Sequence, residues 1–399
     1  MRTLTILAPL LVLLAACSES SAPAPAPSPE VLAAESPAAA PVEAGNPERA
    51  AVAAASGLPQ PAVATELLSC ETVAGISAHC GYQNPEDLVL TPDGALLLVS
   101  EMGEFMMDTP GALSTLSLAS GNRASIEIDW SAEGDRWGDP ACPAPDIPAF
   151  SPHGIDLITR ADGRHQLLVV NHGLREAVEF FELINNDDAW QLAWRGCALP
   201  PGDPFINDVA ALQDGGFFVT HMWDKRQSLE AVGARLLNGE TTGWVWEWQA
   251  DTGFSKVPGS DQLMPNGIAV DAANEKLFVN VYFGNKTVRI DRASGTVDGE
   301  FAVRQPDNIT VDADGTLWVA SHRHDALGQS CAAVTEGPCL LPYEIVRADA
   351  DTLETEVVVQ GDGAPMGYTT VALRVGDRLY MGSAHGDRVA SIDLPGAED

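Results

Sequence analysis

"DNITVDADGTLWVASHR", residues 307–323, holds two short apolar runs on either side of an Asp-Ala-Asp-Gly turn. Runs of that length around an Asp/Gly turn read as the two strands of a β-hairpin. The polar pair Asp307 and Asn308 opens the first run, and His322 closes the second. The same unit recurs as "EDLVLTPDGALLLVS" from Glu86, "HGIDLITRADGRHQLLVVN" from His153, "NDVAALQDGGFFVTHMW" from Asn207 and "NGIAVDAANEKLFVNVY" from Asn266. A weaker copy, "TTVALRVGDRLYMGSAH", starts at Thr369. The copies are spaced by about 40–65 residues, and the wider gaps hold insertions. Mostly-strand repeats of this size are the signature of a β-propeller, and six copies predict six blades. A pair of β-sandwiches is the alternative, but it leaves unexplained why a polar position opens every hairpin. With no long amphipathic helix evident, the expected fold class is all-β, a six-bladed β-propeller over residues 67–399.

The chain before residue 67 has a different character. Arg2 precedes an apolar stretch at 4–14, too short to span a bilayer as a mature helix, and "LAAC" follows, ending at Cys17. Small residues before a cysteine at that distance resemble a bacterial lipoprotein signal. Residues 1–16 are therefore expected to be cleaved, leaving Cys17 lipidated; an ordinary secretory signal is the alternative. Residues 17–66 are dominated by Ala, Pro, Ser and Glu. Such a segment buries too little apolar surface to offset its ordering entropy, so a disordered, semi-rigid tether is predicted. The expected location is the bacterial cell envelope, with Ser18 favouring the outer membrane. Membrane contact is expected through the lipid alone, and the propeller is expected to be a monomer.

Beyond Cys17, six cysteines remain: Cys70, Cys80, Cys142, Cys197, Cys331 and Cys339. An even set in an exported chain suggests disulfides. Proximity favours 70–80 and 331–339, which leaves 142–197, although six cysteines allow fifteen connectivities. No CxxC zinc signature is present. The net charge of −34 argues against nucleic-acid binding, which needs a basic footprint.

In a propeller the first strand of each hairpin can line the central channel, so the residues opening those strands gather at one mouth. The first column reads Glu86, His153, Asn207, Asn266, Asp307, Thr369, and the next reads Asp87, Gly154, Asp208, Gly267, Asn308, Thr370. Carboxylates and amide oxygens in a ring are a hard-ligand set suited to Ca²⁺, which takes about 6–8 oxygens. A single Asn or Asp there would be read as a turn cap; recurrence at one register points to a metal. Counting equal steps outward from Asp162-Gly163 sets His153 opposite His172, and the same count sets His322 opposite Asp307. Residues after the second strands (Glu101, His172, His221, Trp223, Tyr282, Phe283, His322, His385) are expected to form an outer ring, with His79 and His165 elsewhere. Imidazole is the side chain best suited to accept a proton near neutral pH, and a second imidazole can orient it. No GxSxG elbow, glycine-rich phosphate loop or dinucleotide fingerprint is present.

The stretches "EDLVLTPDG", "FSPHGI", "LLVVNH", "NDVAAL", "PNGIAV" and "PDNITVD" resemble the paraoxonase/arylesterase family of calcium-dependent six-bladed propellers, itself related in fold to gluconolactonases. They occur in family order from Glu86 to Asp312, and "SPHGI" followed by "LLVVNH" is the most specific pair. The resemblance implies two calcium ions. Glu86, Asn207, Asn266, Asp307 and Asn308 match ligands of a catalytic ion. Asp87 and Asp208, with the backbone carbonyl of Ile155, match ligands of a buried structural ion. His153 matches the proposed general base and His172 its partner. The implied activity is hydrolysis of lactones and aryl esters, with some phosphotriester hydrolysis; the implied partner is a small-molecule lactone or ester.

Departures from the family concern the termini and insertions. No cysteine follows 339, so the family's disulfide from an N-terminal segment to the last strand has no counterpart. The last blade is then expected to close by strand pairing alone, unless Cys70 sits differently. Cysteine-bearing insertions around 131–149 and 325–342 are expected to rim the pocket. Two other readings keep the fold: a non-catalytic envelope propeller stabilised by calcium, and a sugar lactonase or phosphotriesterase.

Overall fold

Each hairpin predicted above is the inner half of one sheet. The computed structural model describes residues 70–104, 109–131, 133–186 and 189–394. The signal peptide, Cys17 and the linker lie outside the described residues. Within them, six antiparallel sheets carry the repeats, and their inner strands run Pro85–Leu90, Pro152–Thr159, Pro204–Ala211, Pro265–Val270, Pro306–Val311 and Thr369–Val375. These sheets are blades 1 to 6. Each inner strand packs beside that of the next blade, and the sixth returns to the first, closing a ring. Blade 2 carries a fifth strand, Glu127–Asp129, parallel to its outer strand.

The continuous apolar runs of the second strands follow from burial on both faces. Leu97 and Val99 pack toward blade 6, and Leu98 between them packs toward blade 2. Leu167 and Val169 face blade 1, whereas Leu168 and Val170 face blade 3. Phe217 and Val219 alternate with Phe218 in the same way, as do Leu277 and Val279 with Phe278. Successive side chains on a strand point to opposite faces, so one strand feeds two inter-blade cores. Six such cores replace the single core of an ordinary domain.

The inner strands share one irregularity. In five blades the ladder slips by one residue close to the polar pair that opens the hairpin, as between Pro152↔Asn171 and Ile155↔Val169 or between Pro306↔Ser321 and Ile309↔Val319, and in blade 3 it slips at Ile206 and returns by Val209. A bulge of this kind re-aims side chains that a regular strand would send to alternate faces. It also corrects two expectations. Equal-step counting fails, because the ladder pairs Thr159 with His165, one step off a count from Asp162-Gly163, and because His153 lies within the bulge while His172 follows Asn171, the last residue of the paired strand. In blade 6 the ladder pairs Thr369 with Ser383, so Thr370 rather than Thr369 corresponds to Asp307.

The bulge residues also join blades. The carboxylate of Asp87 accepts the N–H of Ile155 in blade 2 at 2.7 Å, and that of Asp208 accepts the N–H of Ile268 in blade 4 at 2.8 Å. Blades 2 and 4 have glycine at the matching position for steric reasons. A Cβ on Gly154 would lie 2.6 Å from the Asn207 carbonyl oxygen, and one on Gly267 would lie 2.6 Å from Asn308 Cα.

Ring closure is by strand pairing. Ser77–Cys80 lies antiparallel to Arg388–Asp393 as the outer strand of blade 6, with Ser77 opposite Ser391 and Cys80 opposite Arg388. Cys70–Cys80, Cys142–Cys197 and Cys331–Cys339 are disulfides, as proximity suggested. The 131–149 insertion runs mainly along the outer strand of blade 2, where the N–H groups of Trp137 and Asp139 bond the carbonyls of Arg195 and Cys197. The 325–342 insertion packs near the mouth: Cys331, Cys339 and Leu341 cluster with Tyr368, whose ring is 4.6 Å from that of His322. Among the described residues no helix is long and apolar enough to cross a membrane.

Candidate metal and histidine site

Three first-column side chains, Glu86, His153 and Asn207, meet at one end of the channel through direct contacts, joined by Asn308 of the second column. His153 Nε2 lies 3.5 Å from Glu86 Oε1 and 3.2 Å from Asn207 Nδ2. Asn308 Nδ2 donates to the same Glu86 oxygen at 2.8 Å. Asp307 Oδ2 lies 3.4 Å from His322 Nε2. All of these groups are buried, and so is Asn266, whose strand abuts Asp307 through Gly267.

The oxygens left over decide what this ring can do. Glu86 Oε2, Asn207 Oδ1, Asn266 Oδ1 and Asn308 Oδ1 are buried and accept no hydrogen bond among the described residues. A buried polar atom without a partner costs about 1–3 kcal/mol, and more for a charged group. Four orphaned acceptors from one ring are the arrangement a hard cation satisfies, so the residues present fit calcium. Among the described residues, no group of three or more His, Cys, Asp or Glu side chains is arranged to hold an ion without such amides.

Asp87 and Asp208 lie deeper, lining a cavity of about 370 Å³ together with Ile155. Burial raises both carboxyls well above the usual range; Glu86 raises Asp87 further, and Asp87 raises Asp208. Buried, mutually repelling carboxylates stay ionised only with a cation to compensate them. Each oxygen accepts one backbone N–H, from Leu88 and Ile155 on Asp87 and from Val209 and Ile268 on Asp208, which leaves further lone pairs. The contact shown with Ile155 is through its N–H.

The predicted histidine pair is present. His172 Nε2 lies 2.9 Å from His153 Nδ1, with the rings nearly perpendicular at 87°. Because the bulge displaces them along the ladder, they meet by their side chains and not as facing residues. Phe205 stacks on His172 at 4.6 Å, and Trp223 stacks on Phe205 at 4.5 Å. Burial pushes His172 below the ordinary imidazole pKa, against the attraction of Glu176.

Glu176 was not anticipated from the sequence. It stands four residues after His172, but across a turn, where that spacing predicts no contact. Its Oε2 lies 2.9 Å from His172 Nδ1 and its Oε1 accepts from Lys225 Nζ at 2.8 Å. Burial opposes its ionisation, yet His172 and Lys225 together hold the carboxyl below the usual range. Opposite, His322 bonds Tyr282 Oη through Nδ1 at 2.9 Å, a pairing also missed.

The outer ring is therefore only partly assembled. His172 and His322 reach the inner ring. Glu101 is instead taken up by Arg123 and by the N–H of Gln83. His221 packs against Trp244 with the rings tilted at 41°, and His385 bonds the carbonyl of Val334 beside Glu104. His79 and His165 are away from this site, bonding Ser391 and Thr159.

Residues 157–330 match the family model of the SMP-30/gluconolactonase/LRE-like region. No curated protein matches the chain. Among solved structures, a gluconolactonase from Xanthomonas campestris is similar at 14% identity, the match covering 85% of this chain and 96% of that one with a TM-score of 0.47. Regucalcin, a calcium-binding protein from Agrobacterium tumefaciens, is similar at 16% identity over 79% of this chain and 92% of that one, with a TM-score of 0.45. Virginiamycin B lyase from Staphylococcus aureus is similar at 13% identity over 77% and 79% of the two chains, with a TM-score of 0.42. Identities at this level assign no activity.

Proposed function

We propose that the chain is a calcium-dependent hydrolase of lactones and aryl esters, a carboxylic ester hydrolase of the paraoxonase/arylesterase type. One observation carries the reading: a ring of orphaned hard oxygens lies beside a hydrogen-bonded histidine pair. A purely structural ion would not need the pair. The match of residues 157–330 to a gluconolactonase-type family model supports a hydrolase.

Glu86, Asn207, Asn266, Asp307 and Asn308 would hold one ion, and Asp87, Asp208 and the Ile155 carbonyl a second. Bound in the first set, calcium supplies Lewis acidity toward a carbonyl oxygen and the charge that develops on it. The protein's own residues handle the proton. His153 Nε2 takes it from the attacking water, and the Nδ1 contact with His172 spreads the resulting charge over two rings. Phe205 and Trp223 make one wall of the histidine pair aromatic.

The test is a panel of phenyl acetate, apolar lactones and sugar lactones assayed with calcium and with excess chelator. Turnover of the first two classes that disappears on chelation and returns with calcium is expected. Full activity in chelator would overturn the proposal. We also propose anchoring in the bacterial outer membrane through lipid on Cys17; Cys17→Ser is expected to move the protein from the membrane to the soluble fraction, and unchanged membrane association would reject the anchor.

A further inference from the structure

The histidine pair is the end of a longer chain of hydrogen bonds: Lys225 to Glu176, Glu176 to His172, His172 to His153, and His153 to Asn207. This chain has a direction, and its far end sets it. Lysine ammonium only donates and an ionised carboxylate only accepts. Glu176 Oε1 accepts from Lys225 Nζ, and its Oε2 already accepts the N–H of Ile206 at 3.2 Å. The His172 nitrogen 2.9 Å from Oε2 must therefore carry a proton, which places the N–H of His172 on Nδ1. A neutral imidazole has one N–H, so His172 Nε2 is an acceptor. His153 must then donate through Nδ1, and the His153 lone pair stands on Nε2. Two further side chains approach His153 Nε2: Asn207 turns its donor Nδ2 toward it at 3.2 Å, as a lone pair there requires, and Glu86 Oε1 stands farther off at 3.5 Å.

We propose that Glu176, braced by Lys225, is a positioning residue that fixes the tautomers of His172 and His153, so that His153 carries a lone pair and not an N–H on Nε2, where Asn207 Nδ2 donates. Without that carboxylate the pair has two hydrogen-bond directions of similar geometry. In the reversed one His172 donates through Nε2 and His153 carries its proton on Nε2, where it is no base. Glu176 and Lys225 belong to successive blades, so the device also makes the tautomers depend on the packing of blades 2 and 3. The side chain of Glu176 is 5% exposed, and Phe205 covers His172, which keeps water from substituting for the carboxylate. The tautomer assignment stands on hydrogen-bond geometry; its kinetic consequence rests on the hydrolase reading above.

Long-range ¹H–¹⁵N spectra of the ¹⁵N-labelled full chain report which ring nitrogen carries the proton, with His153→Gln and His172→Gln assigning the signals. The wild type is expected to show the Nδ1–H tautomer for both rings. Glu176→Gln can donate to His172 Nδ1 and is expected to switch both rings to Nε2–H, whereas Glu176→Asp retains the wild-type pattern. With phenyl acetate and calcium, Glu176→Gln is expected to lower kcat by about 10²-fold, the range of general-base contributions, with KM within twofold; Glu176→Asp restores most of the rate. An Nε2–H signal for His153 in the wild type overturns the proposal even if no Glu176 variant folds. So does a folded Glu176→Gln protein with unchanged tautomers. The expected spectra in a protein that hydrolyses no ester uphold the positioning role and reject the hydrolase reading.

Discussion

Asn207 and Asn266 would set the electronic character of an ion held by the ring, because each offers a neutral oxygen where a carboxylate would add charge. Asn266→Asp is expected to tighten Ca²⁺ binding severalfold in calorimetry while lowering phenyl acetate turnover, since added negative charge makes the ion a weaker electrophile. Asn266→Ala is expected to weaken binding about tenfold, the consequence of losing about 1.4 kcal/mol. Equal affinity in all three proteins would remove Asn266 from the ring. Away from the mouth, His221 is 3% exposed and packs against Trp244, and burial pushes its pKa down to about 4. It is neutral in the folded protein, whereas the unfolded chain takes up a proton near the ordinary value of about 6.5. Between those values the unfolded state binds more protons, so stability falls as pH falls, by about 3 kcal/mol in total. Urea unfolding at pH 7 and pH 4 should show that loss in the wild type and a loss about 3 kcal/mol smaller in His221→Phe. The ligand-type residues were legible in the sequence because they recur in register. Glu176 and Lys225 were not, since nothing local marks a contact between residues 49 positions apart.

At the scale of elements, the bulged inner strand is the functional unit. It brings Glu86, His153, Asn207 and Asn308 together, and in blades 1 and 3 the residue after the ring member clips the neighbouring blade through Asp87 and Asp208. In blades 2 and 4 the neighbour's backbone needs the space that a side chain would take. A methyl on Gly267 would collide with the Asp307 carbonyl and press on Asn308, both part of the ring. Gly267→Ala is therefore expected to cost about 1–3 kcal/mol of stability, the range for overpacking, and to weaken calcium binding although it removes no ligand. Unchanged calcium affinity would show that blades 4 and 5 tolerate separation at the ring. The hairpins were legible from their turns and apolar runs. The bulge was not, because one extra residue in a ladder leaves no mark on composition or period.

For the whole molecule, stability depends on keeping a ring closed. The terminal strand Ser77–Cys80 completes blade 6 by pairing, and the Cys70–Cys80 link holds only its own short loop. The longest covalent closure is Cys142–Cys197, which spans 55 residues and ties the 131–149 insertion to the outer strand of blade 2. Loop-closure entropy assigns it about 4 kcal/mol, against about 2.5 kcal/mol for a loop of the length closed by Cys331–Cys339. The paired Cys→Ser variants should rank in that order in thermal unfolding, with the 142–197 pair the more damaging; the opposite order would show that the mouth insertion matters more to the ring.

The sequence by itself determined the number of blades, the place of each turn and, in the first five blades, the polar columns, and it pointed to the two short disulfides, because all of these rest on local period, repetition or proximity. The tertiary structure alone decided which members of the columns touch. Asn308 meets Glu86 across 222 residues, and Lys225 reaches Glu176 from the next blade. Those contacts exist only once the sheets have closed into a ring and the bulges have re-aimed their side chains. The direction of hydrogen bonding through the histidine pair follows from that closure, since the groups that set it come from successive blades.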